Sequence, residues 1–111
     1  MVPAKQNITI TRGDTEVFNI TLLDSVSAPI NLTGSTFMAQ IRYEYDDTAI
    51  AASFTCTVTD AVNGVVNMTL TSAASQALVA GPAFWDLQRT VGDVVNTLLA
   101  GKCTILHDVT R

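Results

Sequence analysis

The chain has 111 residues, 48% of them hydrophobic and 14% charged, and its ten Asp and Glu against six Lys and Arg give a formal net charge of −4. That length defines one domain, burying roughly 65% of its unfolded surface, and the composition excludes a largely disordered chain. The six cations are scattered from Lys5 to Arg111, which excludes a nucleic-acid backbone as the main partner. No apolar run approaches the ~20 residues of a membrane span.

In chain order, residues 1–5 read as a loose leader, and Gln6 to Thr11 as a short strand with Ile8 and Ile10 on one face. Arg12-Gly13-Asp14 turns the chain into a second strand, Glu16 to Leu23, whose Phe18, Ile20 and Leu22 alternate with Asn19 and Thr21. Such period-2 alternation between turn residues marks half-buried antiparallel strands. The connector Asp24 to Gly34 carries an extended piece, Ile30 to Leu32, expected to tuck over the core edge. A third strand runs from Ser35 to Tyr43, with Phe37, Ala39, Ile41 and Tyr43 on one face. Glu44 to Asp47 is an acidic break. A fourth strand follows at Ala51 to Thr59, carrying Phe54, Cys56 and Val58 on one face, and Asn63-Gly64 signals a hairpin turn. Val66, Met68 and Leu70 carry the fifth strand, Gly64 to Leu70.

The segment TSAASQALVA, residues 71–80, opens on capping residues and ends before Gly81-Pro82, so one or two helical turns are expected there. Ala83 to Arg89 is the sixth strand, with Trp85 and Leu87 inward and Phe84, Asp86 and Gln88 outward. Phe84 there is either an interface anchor or the cover of a second sheet or helix. Val91-Gly92-Asp93 turns into a long last strand, Val94 to Leu106, where Ala100-Gly101 suggests a bulge. About seven strands at this spacing predict an all-β, immunoglobulin-like antiparallel sandwich with one short helix, a single domain over 1–111 with flexible arms at 1–5 and 107–111.

The motifs that suggest chemistry have plainer readings. Arg12-Gly13-Asp14 is an adhesion tripeptide, but a turn between strands calls for Gly and Asp anyway. Four Asn-x-Thr triplets, at Asn7, Asn19, Asn31 and Asn67, match glycan acceptors, yet strand alternation produces the same pattern. His107 is the single histidine, which excludes a triad or a multi-histidine metal site. The carboxylates of Glu44, Asp46 and Asp47 read as a solvated turn, since calcium loops require more oxygen ligands in order. Cys56 and Cys103 could staple two sheets. With no charged-then-apolar leader in MVPAKQNITI, first folding in a cytoplasm and two reduced thiols are the expectation. No cofactor, metal, small-molecule substrate or enzyme activity is expected.

One run of features resembles a known family. Arg12-Gly13-Asp14-Thr15 opens a strand, followed by Phe18-Asn19-Ile20-Thr21-Leu22, then Pro29 to Phe37 and Gln40-Ile41-Arg42. Gly64-Val65-Val66, Leu70-Thr71, the short Ala-rich helix, Ala80-Gly81 and Trp85-Asp86-Leu87-Gln88 complete the order. Over about residues 6–106 the chain resembles the N-terminal immunoglobulin-like domain of tailed-phage baseplate upper proteins and related virion structural proteins. The resemblance implies a non-enzymatic virion component, made in the host bacterial cytoplasm, that links neighbouring virion proteins as a tail, baseplate or fibre adaptor. Members of that family commonly continue into a coil and a receptor-side region, whereas this sequence stops at Arg111. Its partners would be other virion proteins and copies of itself. Alternatives are a capsid decoration protein and a carbohydrate or cell-surface binding module, for which Tyr43, Tyr45 and Trp85 are the aromatic candidates. The sheet edges near 6–11 and 94–106 are the expected docking surfaces, with Ile8, Ile10, Phe84, Val94, Asn96 and Leu98 as contact residues.

Overall fold

The computed structural model describes residues 4–24 and 26–109; Met1 to Pro3, Ser25, Thr110 and Arg111 of the expected arms and connector lie outside the described residues. Eight strands and one helix follow each other: β1 (Ala4–Lys5), β2 (Ile8–Thr11), β3 (Glu16–Thr21), β4 (Thr36–Arg42), β5 (Ala52–Asp60), β6 (Val65–Leu70), α1 (Ser72–Gln76), β7 (Gly81–Val91) and β8 (Val94–Leu106). β1 and β2 both lie parallel on β8, Ala4 opposite Leu99 and Ile8 opposite Cys103, so they are two halves of one N-terminal strand. Counted so, the sandwich has seven strands, with α1 between the fifth and sixth, as expected. The fold is an immunoglobulin-like β-sandwich, antiparallel except where the N-terminal strand lies parallel on β8.

Hydrogen bonding runs in the order β1-β8-β7-β4-β5-β6-β3, with β2 also on β8. β5 belongs to both layers. Its Ala52–Phe54 segment pairs with β4, while Thr55 to Asp60 pair with β6. Phe54 marks the crossing and is 6% exposed. Its ring meets Phe18 of the second layer edge-on at 6.0 Å and Trp85 of the first at 6.4 Å. Inward positions of the alternating strands form the core: Ile41, Met68, Leu70 and Leu87 are fully buried, while Phe18 and Ile20 of β3 are half-buried. Each fully buried side chain contributes about 2 kcal/mol of hydrophobic stabilisation.

The turns are closed by particular contacts. The Asn63 amide donates to Asp60 Oδ2 at 2.8 Å, and Gly64 has φ +71° beneath the passing connector. A Cβ at Gly64 would lie 2.7 Å from the Leu22 carbonyl oxygen and 2.9 Å from that of Ile30, so only glycine fits. The connector tucks in as expected, with Leu32 buried and its N–H donating to the Ala61 carbonyl at 2.8 Å. Helix α1 is capped by Thr71, whose hydroxyl accepts from the Ala74 N–H at 3.2 Å. Buried Ser75 donates to the Asp14 carbonyl at 2.7 Å, fastening the helix across the mouth of the β2–β3 turn.

Three expectations are corrected. Ala4 and Lys5 are not loose, because they pair with β8. The tail is not free at Asp108, which is 7% exposed and ion-paired to Arg12 at 3.2 Å. The bulge in β8 falls at Leu98, where pairing shifts from Leu87–Leu99 to Gln88–Thr97, rather than at Ala100-Gly101. Gly101 answers a different need. The N-terminal strand crosses over it between its two halves, with the Gln6 N–H donating to the Ala100 carbonyl at 2.9 Å. The Gln6 carbonyl accepts from the Trp85 indole at 2.8 Å. A Cβ on Gly101 would strike the Gln6 backbone.

Candidate functional site

The predicted contact residues scatter once folded. Val94 is 59% exposed, Asn96 is exposed and Ile8 half-buried at the rim of β2. Ile10 is fully buried and Leu98 is 8% exposed, so these two side chains belong to the core and are withdrawn as contacts. The alternation of β2 and the bulge of β8 turn them inward. From Leu99 to Leu106 β8 is also no free edge, since β1 and β2 cover it. What remains of that region is the tip of the β7–β8 hairpin, where Val91, Val94 and Val95 are 40, 59 and 56% exposed.

The free edges lie elsewhere. Among the described residues β3 pairs only with β6, and β1 and β2 only with β8. Because β5 closes the opposite side by serving both layers, these two edges face each other across an open seam. The seam is a groove of about 460 Å³ lined by Ile8, Phe18, Ile20, Met68, Trp85 and Leu99, with Asn19 and Thr21 on its polar rim and no charged side chain in the lining among the described residues. An uncharged groove between two unpaired strand edges is the geometry that accepts an added strand.

The motif residues are occupied structurally. Arg12 donates to Asp108 and to the Gln76 carbonyl at 2.9 Å, and the Gln76 amide, oriented to donate to Asp108 Oδ2 at 3.3 Å, completes the cluster. Asn7 Oδ1 accepts from the Lys102 N–H, Asn19 pairs with Asn67 across β3 and β6, and Asn31 accepts from the Thr33 N–H. Each of the four triplets thus begins with a side chain that holds a strand or turn.

Cys56 and Cys103 are both free thiols. Burial, assisted by the negative charge of Glu16, pushes Cys103 up to about 12. Burial also raises Cys56, against a backbone hydrogen bond from Ala39. Thiols held protonated in this way are poor nucleophiles and metal ligands at neutral pH. Among the described residues no group of three or more His, Cys, Asp or Glu is placed to hold a metal ion.

Of the three aromatic candidates, Trp85 is 3% exposed. The Tyr43 hydroxyl accepts from the Val79 N–H at 2.9 Å and fixes the segment after α1. Tyr45 is 75% exposed and stacks on Phe84, ring centroids 3.9 Å apart. Phe84 is thus covered on one side by the turn residue Tyr45 of the same chain, and neither a second sheet nor a helix lies over it among the described residues. Neighbour spacing in sequence could not show this, since the two rings are brought together only by the pairing of Arg42 with Phe84.

No protein-family model matches the chain, and no curated protein matches it. Among solved structures, the N-terminal domain of phage TP901-1 ORF48 is similar with a TM-score of 0.54 at 12% identity, over 97% of this chain and 91% of that one. The filamin domain of Lin-41 has a TM-score of 0.45 at 15% identity, over 87% and 81%. The extracellular fragment of novel immune-type receptor 11 from Ictalurus punctatus has 0.38 at 9%, over 100% and 89%. The first likeness runs from end to end of both chains and establishes a common fold.

Proposed function

We propose that this chain is a non-enzymatic structural protein of a bacteriophage virion, an adaptor that joins neighbouring proteins of the tail, baseplate or fibre. The observation that carries the reading is the end-to-end correspondence of its fold with a domain of a phage protein, in line with the ordered motifs from Arg12 to Gln88. The open seam supplies the means. A partner's extended segment laid between β3 and β2 gains backbone hydrogen bonds from both edges and buries apolar side chains against Phe18, Ile20 and Leu99. Copies of the chain could be joined in the same way, and contacts of that head-to-tail kind close into rings when the rotation allows.

Immunogold labelling of phage particles from the source, with an antibody to this chain, tests the proposal. Gold at the tail tip or fibres is expected. Gold over the head would move the protein to capsid decoration, and unlabelled particles with a working antibody would overturn the virion assignment.

A further inference from the structure

The outward face of the first layer carries a second surface, distinct from the seam. Pairing places Met38, Gln40 and Arg42 of β4 opposite Gln88, Asp86 and Phe84 of β7. On the far side of Asp86 stands Ala100 of β8. The small Ala100 side chain between longer neighbours leaves a depression of about 240 Å³, with Tyr45 and Glu44 at its rim. That is below the ~300 Å³ at which drug-sized pockets begin, so the space suits a single substituted ring.

The depression is built rather than incidental. Phe84 supports one face of Tyr45 at 3.9 Å with the rings 25° from parallel, which holds a 75% exposed aromatic in place. Arg42 is fixed through Nη1 to the Asp47 carbonyl at 2.8 Å and through Nη2 to Gln40 Oε1 at 3.2 Å. Asp86 is half-buried beside that guanidinium. Burial raises its pKa against the pull of Arg42, and its carboxylate accepts no hydrogen bond from the described residues. The Gln88 amide is likewise unengaged among the described residues and faces the same space.

We propose that this depression binds a neutral pyranose sugar, a function separate from strand addition at the seam. The open face of Tyr45 offers a negative π surface to the C–H groups of a sugar ring. Carboxylate, amide and guanidinium groups set around it match neighbouring hydroxyls, each of which both donates and accepts. The charge selects against anionic sugars and phosphates. Glu44 and Asp86 bring two carboxylates against one guanidinium, and that guanidinium is already engaged by Asp47 and Gln40.

The test is amide-detected NMR of the full chain titrated with methyl β-D-galactopyranoside, methyl α-D-glucopyranoside and N-acetyl-D-glucosamine, with glucuronic acid as the anionic control. At least one neutral probe should give saturable shifts at the Gln40 and Gln88 side-chain amides and at Arg42, Tyr45 and Phe84. A dissociation constant on the order of 1 mM suits so small a ligand. Tyr45→Ala removes an exposed side chain, should leave the spectrum away from the depression in place, and should weaken binding about ten-fold or more. Absence of saturable shifts with all three neutral probes would overturn the proposal. So would binding that survives Tyr45→Ala unchanged, equal binding of glucuronic acid, or shifts that follow protein concentration alone, which would mean that a second copy covers the face.

Discussion

Arg12 commits its guanidinium to the interior. It bonds Asp108 and the Gln76 carbonyl, so the tripeptide it begins is a clamp between the β2–β3 turn, the helix and the tail. The carboxylates of Glu16 and Asp86 are placed differently, since burial is the largest influence on each and raises both. Asp86 holds its proton more tightly in the fold than its ordinary value of 3.8, because burial outweighs the attraction of Arg42. Above that value the native state binds more protons than the unfolded chain, so stability falls as pH rises through the native pKa. The ionised carboxylate therefore costs stability at neutral pH. Asp86→Asn should be the more stable protein there and should show a shallower fall. Urea titrations of both proteins from about pH 3 to about pH 8 should give a difference that opens as pH rises; a difference independent of pH would contradict this.

The N-terminal strand depends on a single glycine in its neighbour. Gly101→Ala would push a methyl group into the Gln6 backbone where the strand crosses β8. It should cost about 2–3 kcal/mol, and the loss should concentrate in β1. Hydrogen exchange at Gln6 should accelerate and the Trp85 fluorescence should shift as its indole loses the Gln6 carbonyl. Much at this scale was legible in the residues. The alternations of Phe18-Ile20-Leu22 and Phe37-Ala39-Ile41 placed two strands, Asn63-Gly64 placed a turn, and the Ala-rich run placed the helix within residues 71–80. Alternation reports which face a residue takes and is silent on which strand lies alongside. The parallel pairing of β2 with β8, the passage of β5 between layers and the seam they create were therefore hidden. The same silence misassigned Ile10 and Leu98 as contacts. A glycine in a strand signals either a bulge or a close approach, and Gly101 turned out to be the second. The Tyr45–Phe84 shelf was hidden too, because it joins residues far apart in sequence through the β4–β7 register.

At the scale of the molecule, the asymmetry between its two sides matters most. One side is closed by β5 and the other presents two strand edges to solvent. Val17 lies on β3, is 54% exposed and borders the seam. Val17→Lys places a charge where an incoming strand must lie, the device by which natural sheets protect their edges. Its effect on folding should stay within about 0.5 kcal/mol, while under the proposed virion role incorporation into particles should drop strongly. Quantitative blotting of purified virions against the wild-type chain checks this; undiminished incorporation would remove the seam from the assembly contact. The pairing of the first strand with the last also governs how the chain is made. Asn7 and Lys102 stand 95 positions apart and are bonded side by side. During synthesis the first strand leaves the ribosome with no partner to join and must wait until β8 has emerged. Its edge and the apolar residues beneath it stay uncovered for that interval, and folding then proceeds on the order of milliseconds to seconds set by such long-range contacts. The order of emergence therefore separates folding from any strand addition at the seam in time, because the seam does not exist until the last strand is in place.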